Sequence, residues 1–328
     1  MAAVGLDIGG AFIKVAQTDG NKLVMSGIAN NPLGKLSPDT ENEINQLAAA
    51  VKKMWLDKNI SIKKVRVCIS ESAAYSRVIS MPVLSVAELS NAIKYEAEQY
   101  IPISLEDVEL SYEVIFKPTK KTGEEKMTVL LVAASKRTLN GIVEVLTKAA
   151  LEPESIETEL IASARVLVLE KNPTDVTMLV SIGAVSTGIA IFNQTNLLFT
   201  HRLDSGSAAM TRVIASSLSL PMLQAEEYKR SYGVRPDVLE GKLNQAVMPI
   251  TTNLTNEIKK AYAFITTSNL TDRPTRVVLA GGGALVPGLV ELISRSTGIE
   301  TTIGEANIAK DNQVSNSLYV AAIGTSKR

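Results

Sequence analysis

A glycine-bearing hairpin motif occurs twice in this chain, and the duplication constrains the fold more than any other feature. The first copy is Asp7-Ile-Gly-Gly-Ala11, and the second, which begins 174 residues later, is Ser181-Ile-Gly-Ala-Val185. Each copy lies between two apolar strand patterns, and a third strand pattern follows. Helical patterns come after each set of strands. The repeat therefore predicts an α/β protein with two halves, each built on an antiparallel meander.

The composition is that of an ordinary folded protein. Its 328 residues exceed one average domain, and 34 Lys and Arg residues balance 34 Asp and Glu residues. Without a net charge the chain has no electrostatic preference for nucleic acid or an anionic membrane surface, so we expect no nucleic-acid partner. The single cysteine, Cys68, lies in an apolar strand pattern, which predicts a buried thiol in a reducing compartment.

One stretch, residues 176–200, contains no charged side chain and is long enough to cross a bilayer as a helix. Its polar residues favour another interpretation, because Asn193-Gln-Thr-Asn196 is typical of a turn between two buried strands. The first residues of the chain form a strand pattern and no signal-peptide pattern. We therefore expect a soluble protein without direct membrane insertion.

A smaller unit interrupts the first half. Between residues 75 and 149 the pattern is strand, helix, strand, strand, helix, which is typical of a compact inserted unit. Ser85 and Glu88 form a capping-box pattern at the start of its first helix. The polar segment Lys117–Lys126 is predicted to be the tip of the hairpin between its last two strands.

The duplicated hairpins are the first candidate binding feature. Glycines in a tight turn let backbone N–H groups approach an anion without interference from Cβ, so two facing hairpins would clamp a phosphate group. In the first copy Asp7 would orient a metal-bound water, residues 9–12 would supply amides, and Lys14 would add positive charge. A plain hairpin, whose glycines only satisfy turn geometry, is the alternative for either copy alone. The second copy favours the clamp.

Two further features are candidates for ligand contact. The turn Gly281-Gly-Gly-Ala284 follows a strand and precedes a helix, which suits a ligand at a helix N-terminus, with close packing of strand and helix as the alternative. It matches neither the Walker A loop nor the dinucleotide-binding fingerprint. Glu226 and Lys229 lie three residues apart on a predicted helix and could reach a ribose and a base edge. As an isolated pair they would be ordinary surface charge.

These features together resemble the actin, Hsp70 and sugar-kinase superfamily. Two stretches narrow the resemblance to the PilM family of type IV pilus assembly: Met81–Leu89 with Ile93–Ile103, and Ala225–Gly233. The resemblance implies an actin-like, ribonuclease H-like α/β fold of two lobes, similar to the division protein FtsA, with an inserted βαββα subdomain. The implied division is residues 1–78 and 152–175 for the first lobe core, 79–151 for the insert, 176–220 and 273–328 for the second lobe core, and 221–272 for a helical subdomain.

The resemblance also implies ATP or ADP with Mg²⁺ in the cleft between the lobes. Asp7 would be the catalytic candidate and would hold the metal through water. The implied phosphate contacts are Asp7, Gly9, Gly10, Ala11, Phe12 and Lys14 on one side, and Gly183, Ala184, Val185, Ser186 and Thr187 on the other, with Gly206 nearby. The implied adenosine contacts are Gly281, Gly282, Gly283, Ala284, Glu226 and Lys229.

The implied function is that of a cytoplasmic scaffold at the inner face of the cytoplasmic membrane. Members of the family hold the N-terminal tail of the membrane protein PilN in a groove between the insert and the first lobe, and other pilus assembly proteins are further candidate partners. Tyr95, Tyr100 and Ile101 could line this groove or could pack in the core of the insert. The sequence leaves both alternatives open.

One departure from the superfamily pattern bears on activity. The second hairpin usually begins Asp-x-Gly, and Ser181 stands at this position. A neutral hydroxyl cannot replace a carboxylate that anchors Mg²⁺-bound water, so we expect nucleotide binding with weak or absent hydrolysis.

Two alternative functions of the same superfamily fit the sequence less well. A small-molecule kinase would need a catalytic carboxylate, and the insert offers no obvious base. A filament-forming protein like FtsA would end in an amphipathic membrane helix, for which residues 317–328 are too short.

Overall fold

Two β-sheets form the halves of the molecule, and a third, smaller sheet lies beside them. The computed structural model describes residues 2–101, 103–118, 126–168, 175–194, 196–267, 273–310 and 316–328. Most of the predicted hairpin tip at Lys117–Lys126 lies outside these residues. The strands are β1 (Ala2–Ile8), β2 (Phe12–Asp19), β3 (Lys22–Asn30), β4 (Lys64–Ile69), β5 (Ala74–Pro82), β6 (Val108–Phe116), β7 (Lys126–Ser135), β8 (Glu152–Thr158), β9 (Val176–Ile182), β10 (Thr187–Asn193), β11 (Asn196–Leu203), β12 (Arg276–Ala280), β13 (Glu300–Ile303) and β14 (Ala309–Lys310).

The helices of the described residues alternate with these strands in an α/β order. They are α1 (Glu41–Asp57), α2 (Val86–Tyr100), α3 (Lys136–Lys148), α4 (Glu159–Leu167), α5 (Ser207–Ser217), α6 (Met222–Tyr232), α7 (Lys242–Thr267), α8 (Leu289–Thr297) and α9 (Val320–Ser326). None of these helices combines the length and the apolar character that a membrane span needs. Most of the described residues in the uncharged stretch 176–200 belong to strands β9, β10 and β11, as predicted.

Both large sheets contain the predicted antiparallel meander followed by parallel strands. The first sheet has the order β14-β3-β2-β1-β4-β8, and the second has the order β11-β10-β9-β12-β13. The central pairs β1–β4 and β9–β12 are parallel. Cys68 is buried in β4, as expected.

The sequence repeat is a structural repeat at the same offset. Ile8 pairs with Ile13 across the first hairpin, and Ile182 pairs with Thr187 across the second. In both turns the first glycine donates a backbone hydrogen bond to the residue three positions on, from Gly9 to Phe12 at 3.0 Å and from Gly183 to Ser186 at 2.9 Å. The two hairpins therefore have the same register and the same turn.

The helices form three layers around the two large sheets. The outer face of the first sheet is covered by α1 and α3, and the outer face of the second sheet is covered by α5, α7 and α8. Between the sheets, α4 and α9 bury apolar side chains against strands of both lobes. Because this middle layer contacts both sheets, the two lobes share the hydrophobic cluster that lies between them.

The small sheet has the order β5-β7-β6, and its core side chains pack against α2. The Ser85 side chain accepts from the Glu88 backbone, and the Glu88 side chain accepts from the Ser85 backbone, so the predicted capping box is present. The last helix of the predicted βαββα pattern, α3, instead buries Ile142, Val145 and Leu146 in the core of the first sheet. The subdomain boundaries given above remain a prediction.

Two elements differ from the sequence pattern. Strand β8 is absent from the predicted elements, because Glu152-Pro-Glu-Ser-Ile-Glu-Thr158 contains a proline and little apolar alternation; it is an edge strand that pairs with β4 alone within the described residues. The second difference is the start of α7: the helical pattern of the sequence starts at about Pro236, but the helix begins at Lys242. Leu239 and Glu240 adopt positive φ angles of 49° and 56°, which are incompatible with a continuous helix.

Candidate functional site

A cavity of about 590 Å³ lies between the two lobes, and both hairpins line it. The predicted site residues on its wall are Asp7, Gly9, Gly10, Ala11, Phe12, Lys14, Gly183, Ala184, Val185, Ser186, Glu226, Lys229, Gly281, Gly282 and Gly283. Thr187, Gly206 and Ala284 lie behind this wall: Thr187 Oγ1 donates to Ser205 O at 2.8 Å, and Ala284 is fully buried. The fold thus brings both duplicated motifs to the wall of one cavity.

The tips of the hairpins are in direct contact. A Cβ atom on Gly10 would lie 3.1 Å from Val185 Cγ2, so the first turn approaches the second as closely as a glycine allows. Each turn also requires a glycine at its first position for the same reason. A Cβ on Gly9 or Gly183 would lie only 3.0 Å from the carbonyl oxygen three residues on. Residues of both turns therefore border the cavity, and the Val185 side chain of the second turn packs against Gly10 of the first.

A buried ion pair distinguishes the first hairpin from the second. Asp7 and Lys14 are cross-strand partners, and Lys14 Nζ lies 2.9 Å from Asp7 Oδ2. Burial opposes the charge of Lys14, but the adjacent Asp7 carboxylate outweighs it and raises the pKa of the lysine. Asp7 Oδ1 is buried and has no hydrogen-bond partner among the described residues. The first lobe therefore offers one cation and one free carboxylate oxygen.

The second hairpin has no charges at the equivalent positions. Ser181 and Gly188 are cross-strand partners there, in the places of Asp7 and Lys14. A Cβ on Gly188 would lie 2.8 Å from Leu160 Cδ1 and 3.1 Å from Glu71 Cγ, so side chains from the first lobe occupy the space. The duplicated motif is thus symmetric in backbone and asymmetric in charge.

The lobes are joined at the base of the cavity by a short polar contact. Ser70 Oγ and Ser186 Oγ are 3.0 Å apart, which links the end of β4 to the second hairpin. The following residue, Glu71, accepts a hydrogen bond from the Leu160 backbone at 3.4 Å. Burial raises the pKa of Glu71.

Glu159 is a cavity residue that sequence reasoning missed. It is the first residue of α4, it follows β8 directly, and its side chain is buried at the cavity wall. Burial raises the pKa of Glu159 to about 8; the charges of Asp7 and Glu71 also raise it, and Lys14 opposes them. The only sign of Glu159 in the sequence was an acidic residue at the start of an apolar helix. Acidic residues are common in the first turn of ordinary helices, so this sign does not identify a cavity residue.

The raised pKa of Glu159 predicts a specific pH dependence of stability. The folded protein keeps a proton on this group that the unfolded chain releases above its ordinary pKa of 4.5, so the stabilisation is complete below pH 4.5 and is lost as the pH rises through about 8. Wild type should lose on the order of a few kcal/mol more than Glu159→Gln between pH 5 and pH 8.5. Urea unfolding of both proteins across this range measures the difference. Equal pH dependence in the two proteins would contradict the prediction.

The charged pair on α6 is part of the cavity wall. Glu226 Oε2 accepts hydrogen bonds from Lys229 Nζ at 2.7 Å and from Thr211 Oγ1 at 2.6 Å. Lys229 is buried, and this burial lowers its pKa despite the neighbouring Glu226 carboxylate. The Lys229 side chain is only 6% exposed, whereas the Glu226 side chain is 40% exposed. Arg230, which sequence reasoning did not select, also lines the cavity.

The glycine turn after β12 closes the wall between β9 and α6. Gly281 has a φ angle of 80°, and a Cβ at this position would lie 2.5 Å from Ile182 O. A Cβ on Gly283 would overlap the Ile182 side chain. Packing thus requires at least two of the three glycines, while Gly281, Gly282 and Gly283 all still border the cavity.

The three residues considered for a partner groove lie in different environments. Tyr95 and Tyr100 are exposed on α2, and the Arg77 guanidinium lies 3.9 Å from the centre of the Tyr100 ring. Ile101 is buried in the core of the small sheet. Ile101 therefore packs in the core of the insert, whereas the two tyrosines are accessible to a partner.

Comparison with known proteins agrees with this architecture. The family model described as type IV pilus assembly protein PilM matches residues 5–321. A solved PilM-PilN type IV pilus biogenesis complex is 26% identical, with a TM-score of 0.87 over 100% of this chain and 98% of that chain. The cell division protein FtsA of Streptococcus pneumoniae serotype 2 (strain D39 / NCTC 7466) is 23% identical, with 91% of this chain and 74% of that protein covered.

A further solved structure is similar to this chain in fold but not in sequence. The solved structure of MreB 5 of Spiroplasma citri bound to AMPPNP is 12% identical, with a TM-score of 0.57 over 98% of this chain and 94% of that chain. The fold is the predicted actin-like α/β fold of two lobes. The chain belongs to the family of the type IV pilus assembly protein PilM.

Proposed function

We propose that this protein binds ATP or ADP between its lobes and acts as a nucleotide-dependent scaffold in type IV pilus assembly. One observation carries the proposal: two hairpins of identical register, one from each lobe, border the same cavity. Backbone N–H groups arranged in this way bind anions, and a polyphosphate between the lobes would contact both turns. The MreB 5 structure with the same fold is bound to AMPPNP, which supports a nucleotide as the ligand.

The other cavity residues divide between the two ends of the ligand. Lys14 lies on the first hairpin and would neutralise phosphate charge. The Glu226 and Lys229 pair would hydrogen-bond the ribose, and the Gly281–Gly283 turn would lie against the base. Thr187, Gly206 and Ala284 would support the wall from behind.

The site fits Mg²⁺ held through water. Asp7 Oδ1 is buried and unpartnered among the described residues, and oxygen is the ligand atom that Mg²⁺ prefers. Three acidic, histidine or cysteine side chains do not converge on one point within the described part of the chain, so direct coordination by protein alone is not built in. When bound, Mg²⁺ would neutralise charge on the phosphate oxygens. Asp7 would hold one of its water ligands.

Hydrolysis would be slow or absent for two reasons that concern this chain's own residues. Ser181 is neutral where a second carboxylate would be needed to orient water. Glu159 borders the cavity, but with a pKa of about 8 its carboxyl group is mostly protonated at neutral pH and is a poor base. The cavity thus supports binding better than catalysis.

The proposed partner is the N-terminal cytoplasmic tail of a PilN-like inner-membrane protein. The similar solved structure is a PilM-PilN complex, and that chain is matched over 98% of its length. We place the tail in the groove between the small sheet and the first lobe, with the exposed Tyr95 and Tyr100 as candidate contacts. This partner would hold the protein at the inner face of the cytoplasmic membrane.

Calorimetry with ATP, ADP and a synthetic N-terminal peptide of the PilN-like protein from the same organism tests the proposal. We expect binding of both nucleotides and of the peptide, each at one per protein chain, with a scrambled peptide as the control. Phosphate release should stay below about one turnover per minute, far under the roughly 10 s⁻¹ of a median enzyme. No heat with either nucleotide would refute the nucleotide site, and no peptide binding with or without ATP would refute the partner.

A further inference from the structure

We propose that Asn31 is the positioning residue for the phosphate hairpin of the first lobe. It binds the same hairpin carbonyl that a helix N-terminus binds in the second lobe. The inference rests on the proposed nucleotide site, and it identifies the side chain that orders one half of that site.

Asn31 follows β3 directly and is buried, with 6% of its surface exposed. Its Nδ2 donates to Gly9 O at 2.8 Å and to Lys35 O at 2.9 Å, while its Oδ1 accepts from the Leu33 backbone at 2.9 Å. Its own backbone N–H donates to Ala11 O at 2.9 Å. Both side-chain donors and the acceptor of this asparagine are therefore in use, and two of its bonds hold the hairpin.

The second lobe binds its hairpin at the matching carbonyl with a different donor. Gly183, which stands 174 positions after Gly9, accepts from the Ser207 backbone N–H at 2.9 Å, and Ala184 O accepts from the Ala208 N–H at 2.9 Å. These donors are the first amides of α5, which have no partner within the helix. A Cβ on Gly206 would lie 2.6 Å from Gly183 O, so the glycine permits this approach.

The carbonyl bonds fix the direction of the next backbone amide in each turn. In a trans peptide unit the C=O of one residue and the N–H of the next point in opposite directions within one plane. A bond from Asn31 to Gly9 O therefore fixes the Gly10 N–H to point away from Asn31. In the second lobe the bond to Gly183 O fixes the Ala184 N–H in the same way.

The two anchors differ in how they respond to mutation. The second hairpin is held by backbone N–H groups, which no substitution other than proline removes. The first hairpin depends on one side-chain amide, and that amide also holds Lys35 O, next to the cavity residue Leu36. Loss of the Asn31 side chain should therefore loosen the first hairpin and leave the second unchanged.

The test compares Asn31→Ala and Asn31→Asp with wild type in the full chain, with the exposed neighbour Asn30→Ala as the matched control. Aspartate keeps the size and the acceptor but has no side-chain donor. Calorimetry should show roughly tenfold weaker ATP binding in both Asn31 variants, equal to about 1.4 kcal/mol, and adenosine affinity within about twofold of wild type. Without nucleotide, amide hydrogen exchange should rise in the β1–β2 turn and stay unchanged in the β9–β10 turn.

The outcomes separate this inference from the proposed function. If wild type fails to bind ATP, the nucleotide function is refuted, while faster exchange confined to the first turn still supports the anchor. If wild type binds ATP and the Asn31 variants bind it equally well, the positioning role is refuted and the nucleotide function stands. Equal losses for ATP and adenosine, or faster exchange in both turns, would indicate general destabilisation and would also refute the positioning role.

Discussion

The Lys14→Met variant is expected to lose about 3 kcal/mol or more of its free energy of unfolding. Lys14 Nζ is the cation paired with Asp7 Oδ2, and the Asp7 side chain is only 3% exposed. The other oxygen, Oδ1, has no partner among the described residues. Methionine would therefore leave a buried carboxylate without compensation, which costs more than the ion pair contributes by itself. Urea unfolding at neutral pH measures the loss.

The same substitution should weaken ATP binding by at least about tenfold, since a cation beside the phosphate groups is removed. The double variant Asp7→Asn with Lys14→Met separates the two effects, because it removes both charges from the buried site. We expect it to recover most of the stability and none of the ATP affinity. A single variant as stable as wild type would show that the Asp7 carboxylate is compensated in another way.

The Gly324→Ala variant is expected to be destabilised by about 3 kcal/mol, the upper end of the usual cost of overpacking a core. Gly324 lies in α9, and a Cβ at this position would overlap the Ala162 carbonyl group of α4. Gly5 makes the same kind of contact between β1 and the Ala322 backbone of α9. Because the overlapping atoms belong to the backbone, a side-chain rotation cannot relieve the contact. The helices α4 and α9 would have to move apart.

Gly141→Ala is the matched control for this prediction. Gly141 is also a buried helical glycine, but a Cβ at this position would lie 3.4 Å from its nearest neighbour, Pro38 Cγ. Alanine should fit there and gain up to about 1 kcal/mol from its higher helix propensity. The measurement is the urea midpoint of each variant. A Gly324→Ala midpoint equal to that of wild type would contradict the close packing of α4 and α9.

The sequence predicted the duplicated hairpins because their information is local. Two glycines between short strands specify a turn wherever they occur, and the 174-residue offset reappears in the strand register of both lobes. The same holds for the Ser85–Glu88 capping box, whose four residues contain the whole interaction. Features that depend on a few neighbouring residues were therefore accessible.

Glu159 and Asn31 were not predicted because their roles depend on distant contacts. The environment of Glu159 is built with Asp7 and Glu71, which are far away along the chain, and nothing near Glu159 reveals them. Asn31 reads as an ordinary loop residue until the fold brings it to Gly9. The face that α3 buries has the same limitation, since an amphipathic pattern shows that one face is covered but not by which sheet.

The layer formed by α4 and α9 limits how the two halves of the chain can evolve separately. Each sheet covers one side of this layer, so a chain cut between the halves would expose a continuous apolar surface on the fragment that retained it. The two halves resemble each other in sequence, yet neither encloses a complete interior by itself. Recombination that exchanged a single half would have to preserve this common interface, which ties the evolution of both halves together.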